Sequence, residues 1–275
     1  MQRFTTSDGL SLAFQVSGEG LPLLCLPGLT RNHHDFDDLR AVLPEGLRMI
    51  ALTSRGREPS DFAPDPMSYD IPTEARDALE LLDHLGIARA VILGTSRGGL
   101  IAMVIAALAP QRLSGVLLND IGPEIDADGL SRIMDYLGRR PAARDMDALA
   151  VKLAETMGAG FPDFDAAMWD RLARRWYRED AEGIALRYDP RLRDAVLAKG
   201  AAPDLWPLFD ALAGIPLAVL RGQHSDLLRA DTLRQMQARR PDLIAATVPG
   251  RGHVPLLDEA ESLAVLNTLV ERVRT

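Results

Sequence analysis

The heptapeptide LGTSRGG, from Leu93 to Gly99, places one serine between two glycines. An apolar run, AVIL (90–93), ends at its first residue, and a longer apolar run, LIAMVIAALA (100–109), follows its last residue. The first run fits a buried strand and the second a helix, so the stretch predicts a strand-to-helix turn at Ser96. Glycines at positions 94 and 98 suit a tight turn, because side chains there would crowd the neighbouring backbone.

The chain on both sides of this turn alternates between short apolar runs and helical patterns. The strand-like runs are LPLLCL (21–26), LRMIAL (47–52), LSGVLLN (113–119), IPLAVLRG (215–222) and LIAATV (243–248). A further pair of alternating segments flanks Asp8-Gly9, which is a typical hairpin turn. This alternation predicts an α/β fold with a mainly parallel sheet and helices on both faces.

The alternation lapses between about Gly122 and Pro203, where no run reads as a buried strand. Helical patterns occupy this part instead, at 129–140, 166–180 and 190–200. We therefore predict one core domain formed by residues 1–121 and 204–275, interrupted by a helical cap insertion at residues 122–203. An insertion of that size commonly forms a lid or a wall of a substrate pocket.

Composition narrows the class of protein. The chain has 275 residues, 47% of them apolar, and a formal net charge of −8, which argues against a nucleic-acid-binding protein. The single cysteine, Cys25, lies in an apolar run and is predicted to be a buried structural thiol. We see neither a secretory signal nor an apolar run long enough to span a bilayer, so we expect a cytoplasmic protein without membrane association. The sequence leaves the oligomeric state open.

Ser96 follows a strand at the predicted ligand-binding edge of the sheet, which is a suitable position for a nucleophile. Ligands of open parallel sheets bind at the carboxyl ends of the strands, and G-x-S-x-G after a strand is the pattern of a nucleophile elbow. A serine needs a base to take its proton. His253 follows the last strand in the loop VPGRGHVPLL (248–257) and returns to the same sheet edge, so we predict it as the base.

The histidine in turn needs an acid, and two aspartates follow strands at this edge. We favour Asp226, because its strand neighbours the one before His253. Asp120 is assigned a local role, accepting backbone N–H groups where the insertion begins. The main-chain N–H groups of Leu29 and Arg97 are predicted to form the oxyanion hole, with Gly28 allowing the turn.

These residues together resemble the α/β-hydrolase superfamily over essentially the whole chain. The matching stretches are LPGLTRN (26–32), GTSRGG (94–99), LRGQHSDLL (220–228) and VPGRGHVPLL (248–257). The resemblance implies an eight-stranded sheet with its second strand antiparallel and a helical cap after the sixth strand. The loop 52–61 departs from the D-x-R-G-x-G-x-S pattern of many relatives, and no chemistry is assigned to it.

A serine nucleophile in this superfamily leaves open esterases, lactonases, amidases, thioesterases, carbon–carbon bond hydrolases and acyltransferases, together with a minority of non-hydrolytic members. Among these we predict a hydrolase that forms an acyl-enzyme without a metal or organic cofactor. We predict a small-molecule carboxylic ester, small to medium and fairly apolar, as the substrate. Alternatives are a lactonase or enol-lactone hydrolase, a carbon–carbon bond hydrolase of aromatic catabolism, and a non-catalytic ligand-binding protein. Candidate pocket residues are Trp169, Trp176 and Trp206, whereas Arg174, Arg175 and Arg178 are interpreted as a solvated helix face.

Overall fold

The computed structural model describes residues 1–198, 200 and 204–275. The strands are β1 (Gln2–Thr5), β2 (Ser11–Ser17), β3 (Leu21–Leu26), β4 (Leu47–Leu52), β5 (Ala90–Thr95), β6 (Leu113–Asn119), β7 (Tyr177–Asp180), β8 (Gly183–Leu186), β9 (Leu217–Gly222) and β10 (Ile244–Val248). The helices are α1 (Asp37–Ala41), α2 (Ile71–His84), α3 (Arg97–Leu108), α4 (Ala127–Tyr136), α5 (Met146–Met157), α6 (Ala166–Trp176), α7 (Leu192–Ala198), α8 (Trp206–Asp210), α9 (Ala230–Arg239) and α10 (Ala260–Arg274).

Eight of the strands form one sheet in the order β1-β2-β4-β3-β5-β6-β9-β10. Strand β2 is antiparallel to both of its neighbours, β1 and β4. The other neighbouring strands of this sheet, β4-β3-β5-β6-β9-β10, pair parallel to one another. The predicted α/β fold with an antiparallel second strand is therefore confirmed. Because β5 lies near the middle, the residue after it stands at the centre of the carboxyl edge.

Helices cover both faces of this sheet, as its apolar runs predict. On one face, α2, α3, α8 and α9 pack against residues such as Leu24 and Leu26, whereas α1 and α10 pack against Leu23 and Cys25 on the other. Cys25 is fully buried, and burial raises the pKa of its thiol, in agreement with a structural role. Among the helices of the described residues, none has the length and apolar character needed to cross a membrane.

The chain between β6 and β9 leaves the sheet and forms α4 to α7 together with a small hairpin; we call this part the inserted segment. The predicted helix over 166–180 is wrong in its last turn, because α6 ends at Trp176 and β7 pairs antiparallel with β8. Gly183, with a φ of 106°, allows the reversal between those strands. The predicted end of the insertion at residue 203 lies outside the described residues, so the domain boundaries stay a prediction.

Candidate active site

Ser96 occupies the tight turn between β5 and α3. Its φ of 50° is left-handed, which is unusual for a residue with a side chain and indicates a strained backbone. A Cβ at position 98 would overlap the carbonyl oxygen of Leu26, and one at position 94 would overlap the backbone of Gly98. Both glycines are therefore needed for α3 to approach the sheet this closely, which is the reason for the sequence pattern.

His253 lies beside this serine. Its Nε2 atom is 2.9 Å from Ser96 Oγ, so the contact predicted between the two side chains is confirmed. The loop that carries His253 packs closely on the end of β9, where a Cβ at Gly222 would overlap the backbone of Gly252. The side chain of Asn119 donates a hydrogen bond of 3.1 Å to the carbonyl oxygen of Pro255 and fixes the other side of the loop.

The acid partner of this histidine is Asp120, and the prediction of Asp226 is wrong. Asp120 Oδ2 accepts a hydrogen bond of 2.7 Å from His253 Nδ1. The Asp226 side chain is 41% exposed and binds Arg132 instead, at 2.8 Å. Because an ionised carboxylate only accepts hydrogen bonds, Asp120 places the imidazole proton on Nδ1 and leaves Nε2 free to accept from Ser96.

Asp120 is held by several further contacts. It is completely buried, and its carboxylate also accepts from the Gly222 N–H at 2.8 Å and from the Ser225 hydroxyl at 2.6 Å. The local role predicted for Asp120, as an acceptor of backbone N–H groups, therefore exists beside its contact with His253. The sequence did hold a signal, since Asp120 follows β6 directly whereas Asp226 lies four residues beyond the end of β9.

The two predicted oxyanion donors, Leu29 and Arg97, come from different parts of the chain near Ser96. Leu29 lines the cavity at the serine, and Arg97 is the first residue of α3. Within the described part of the chain, neither main-chain N–H donates to another protein group. Both amides are therefore available to a ligand, although their catalytic use remains a prediction.

A buried carboxylate that the sequence reasoning missed connects these donor residues. Glu74 of α2 binds Arg97 Nε at 2.9 Å and Arg57 Nη1 at 2.7 Å, and Arg57 Nε donates to the Leu29 carbonyl at 2.8 Å. Burial alone would raise the pKa of Glu74, but the two guanidinium groups outweigh it and hold the pKa at about 2. Glu74 is therefore ionised at neutral pH, and it is linked directly to the Arg97 side chain and through Arg57 to the Leu29 carbonyl.

Two connected cavities lie between this site and the inserted segment. The inner one, about 90 Å³, contains Ser96 and His253, and the outer one, about 930 Å³, extends from His253 between α4 and α5. The residues that line both are Arg31, Ile133, Tyr136, Met157, Phe161, Trp176 and His253. The inner cavity has about a tenth of the volume of the outer one, so the space directly at the serine suits a small group.

Of the three tryptophans predicted for the pocket, only Trp176 lines it. Trp169 packs edge to face on Phe161 and Phe164 in the core of the inserted segment, so that prediction is wrong. Trp206 lines neither cavity, and its indole N–H donates to Glu124 at 2.9 Å. Helical spacing alone did not show which face of each helix turns toward the site.

The interpretation of Arg175 as part of a solvated face is wrong as well. Its side chain lines the inner cavity and binds Asp38 of α1 through two contacts, at 2.6 and 3.3 Å. Arg174 is exposed and binds Asp147 and Asp170, and Arg178 binds Glu58 at 3.1 Å. Arg175 therefore joins the inserted segment to the sheet domain beside the site.

Comparison with known proteins agrees with this architecture. A sequence model of the alpha/beta hydrolase family matches residues 23–265. The 3-hydroxybutyrate-oligomer hydrolase of Cupriavidus necator is 31% identical, over 88% of this chain and 86% of its own length. The 2-(acetamidomethylene)succinate hydrolase of Mesorhizobium japonicum is 28% identical, over 89% and 85%.

A solved structure resembles the whole chain even more closely. The crystal structure of an alpha/beta hydrolase from Novosphingobium aromaticivorans superimposes with a TM-score of 0.91. The two sequences are 44% identical, and the match covers 98% of this chain and 97% of that one. The chain therefore belongs to the α/β-hydrolase family.

Proposed function

We propose that this hydrolase is a serine esterase that cleaves a small to medium carboxylic ester through an acyl-enzyme. The observation that carries the proposal is the continuous hydrogen-bonded series from Ser96 through His253 to Asp120, at 2.9 and 2.7 Å. The serine hydroxyl is hydrogen-bonded to one nitrogen of the imidazole, and a buried carboxylate binds the other nitrogen. This arrangement activates the hydroxyl for attack.

The proposed reaction uses these groups in two steps. Ser96 Oγ attacks the ester carbonyl while His253 takes its proton, and the Leu29 and Arg97 amides stabilise the negative oxygen. The imidazolium then protonates the departing alcohol, which leaves the acyl group on Ser96. In the second step His253 deprotonates a water molecule that attacks the acyl carbonyl, and the proton returns to Ser96 as the acid departs.

The name of one relative supports ester cleavage as the bond class. That relative is called a 3-hydroxybutyrate-oligomer hydrolase, and hydroxy acids joined head to tail are linked by carboxylic esters. The cavities also support it, because the inner one fits a short acyl or alkoxy group and the outer one fits the rest of a larger molecule. The proposal needs no metal or organic cofactor.

The test compares the wild type with Ser96→Ala on p-nitrophenyl esters from acetate to decanoate. We expect kcat to fall by about 10⁴-fold in the variant, because the nucleophile is lost while the oxyanion donors remain. We also expect a fluorophosphonate to modify the wild type at Ser96. Full activity in Ser96→Ala would refute the nucleophile, and wild-type turnover confined to lactones or to ring-cleavage diketones would refute ester specificity.

A further inference from the structure

Arg31 stands beside the proposed nucleophile in the loop after β3, two residues beyond Leu29. A Cβ at Gly28 would lie 3.5 Å from Arg31 Cγ and 3.9 Å from Ser96 Cβ, so the two side chains begin on either side of that glycine. Arg31 also lines both cavities. Its guanidinium is therefore close enough to contact a substrate that is bound at Ser96.

The guanidinium is held in place but not neutralised. It stacks on the ring of Trp176 with its central carbon 3.6 Å from the ring centre. Within the described residues, the Arg31 side chain forms no hydrogen bond and no ion pair, whereas the neighbouring Arg175 is bound by Asp38. An arginine carries five N–H donors in a planar fork, and those of Arg31 are available to a ligand in the cavity.

The charge of the outer cavity has the opposite sign to that of the chain. Its lining includes two acidic and five basic side chains, although the chain has a net charge of −8. The acidic ones are Asp135 and Asp226, and the basic ones are Arg31, Arg132, Arg139, Arg140 and Lys152. Arg132 is paired with Asp226, and Arg140 with Asp180 and Glu182. Among the described residues this leaves three basic side chains of the lining without an ion pair (Arg31, Arg139 and Lys152) against one acidic side chain, Asp135. An excess of positive charge in a cleft raises the local concentration of anions, so this path favours anionic ligands.

One carboxyl group shares the inner cavity with Arg31. Burial raises the pKa of Asp35, and the charges of Arg31 and Arg175 only partly oppose that effect. Asp35 forms no ion pair with Arg31 in the described structure, and its raised pKa weakens its competition for the guanidinium. The planar guanidinium of an arginine donates two parallel hydrogen bonds to the two oxygens of a carboxylate. A neutral ester group lacks the negative charge that strengthens these bonds.

We propose that Arg31 binds a carboxylate of the substrate, and that the natural substrates are esters that carry a free carboxylate a few bonds from the reacting carbonyl. Hydroxy acids esterified through their hydroxyl group, such as linear dimers, and monoesters of dicarboxylic acids belong to this class. The proposal rests on the proposed esterase function and adds the group that selects the substrate.

The experiment compares two substrates that differ only in charge: the linear dimer of 3-hydroxybutyric acid and its terminal primary amide. Each contains one cleavable ester. We expect the wild type to prefer the carboxylate by about 10- to 100-fold in kcat/KM, as suits a charge-assisted contact. Arg31→Gln should lose that preference, mainly through KM for the carboxylate, and Arg31→Lys should retain part of it.

Arg48→Gln is the matched control, since Arg48 lies on β4 outside both cavities and its substitution should leave the preference intact. The preference is a ratio within one variant, so a loss of folded protein cancels. Equal wild-type rates on both substrates, or an unchanged preference in Arg31→Gln, would overturn the proposal. Failure of the esterase function is distinguishable, because it would abolish Ser96-dependent turnover of p-nitrophenyl butyrate as well.

Discussion

Single residues at strand ends decide the chemistry proposed for this hydrolase. Ser96 and Asp120 directly follow neighbouring strands, β5 and β6, and both have a left-handed φ, of 50° and 55°. Such backbone conformations cost energy and persist where the surroundings enforce them. Here they turn a hydroxyl and a carboxylate toward the same imidazole.

The replacement of Asp120 by asparagine tests the acid assignment. An amide can donate to Nδ1, which would move the imidazole proton to Nε2 and remove the acceptor that Ser96 needs, so we expect kcat to fall by about 10³- to 10⁴-fold. Asp226→Asn is the matched control. It removes an exposed ion pair worth at most about 1 kcal/mol, so its effect on kcat should stay below about fivefold. If kcat for p-nitrophenyl butyrate fell more in Asp226→Asn than in Asp120→Asn, Asp226 would be the acid partner of His253.

Of the hydrogen-bonded side chains Ser96, His253 and Asp120, the sequence predicted the first two, because the residues around each of them restrict the local backbone. Ser96 lies between glycines at a strand-to-helix turn, and His253 follows the last strand in a glycine-rich loop. The choice between Asp120 and Asp226 depended on how many residues separate each aspartate from the end of the strand before it. Sequence order alone treats both positions alike, and the wrong one was favoured.

At the scale of the elements, helix α2 was predicted correctly but its contribution to the site was not. Glu74 lies one turn into that helix and is buried against Arg57, from the loop after β4, and Arg97, the first residue of α3. The four residues 29, 57, 74 and 97 are far apart in sequence. Only the folded packing of α2 against α3 shows that one carboxylate holds them together.

Glu74→Gln tests whether this helix positions the oxyanion donors. The amide removes the charge that orients both guanidinium groups, and we expect kcat to fall by about 10-fold with little change in KM. The complete loss of one oxyanion donor costs more, about 10²- to 10³-fold. Glu80→Gln on the same helix should leave kcat unchanged, because Glu80 binds Ser7 and Arg76. A lowered thermal stability of Glu74→Gln with an unaltered kcat would assign Glu74 to folding alone.

The whole molecule combines a predictable sheet domain with a less predictable inserted segment. Long apolar runs made the strands of the large sheet visible, since most are buried on both faces. The hairpin of β7 and β8 escaped notice because β7 is short, polar and half exposed. The segment docks through an apolar cluster that includes Tyr69 and Tyr188, and also through charge pairs such as Arg175 with Asp38. Charge pairs carry no periodic pattern in a sequence.

Asp38 contributes to the docking of the inserted segment, because it binds both Arg175 and Arg171 of α6. Asp38→Asn would leave the almost buried Arg175 guanidinium without its counter-ion, and the loss of one member of a buried pair costs about 3 kcal/mol. For a chain of this size we expect a thermal midpoint lower by roughly 6–12 °C. Because Arg175 and Trp176 line the inner cavity, KM should rise as well. Asp147→Asn removes an exposed partner of Arg174 and should change neither value. An unchanged KM together with a lowered midpoint would mean that α6 holds the cavity wall in place without this ion pair.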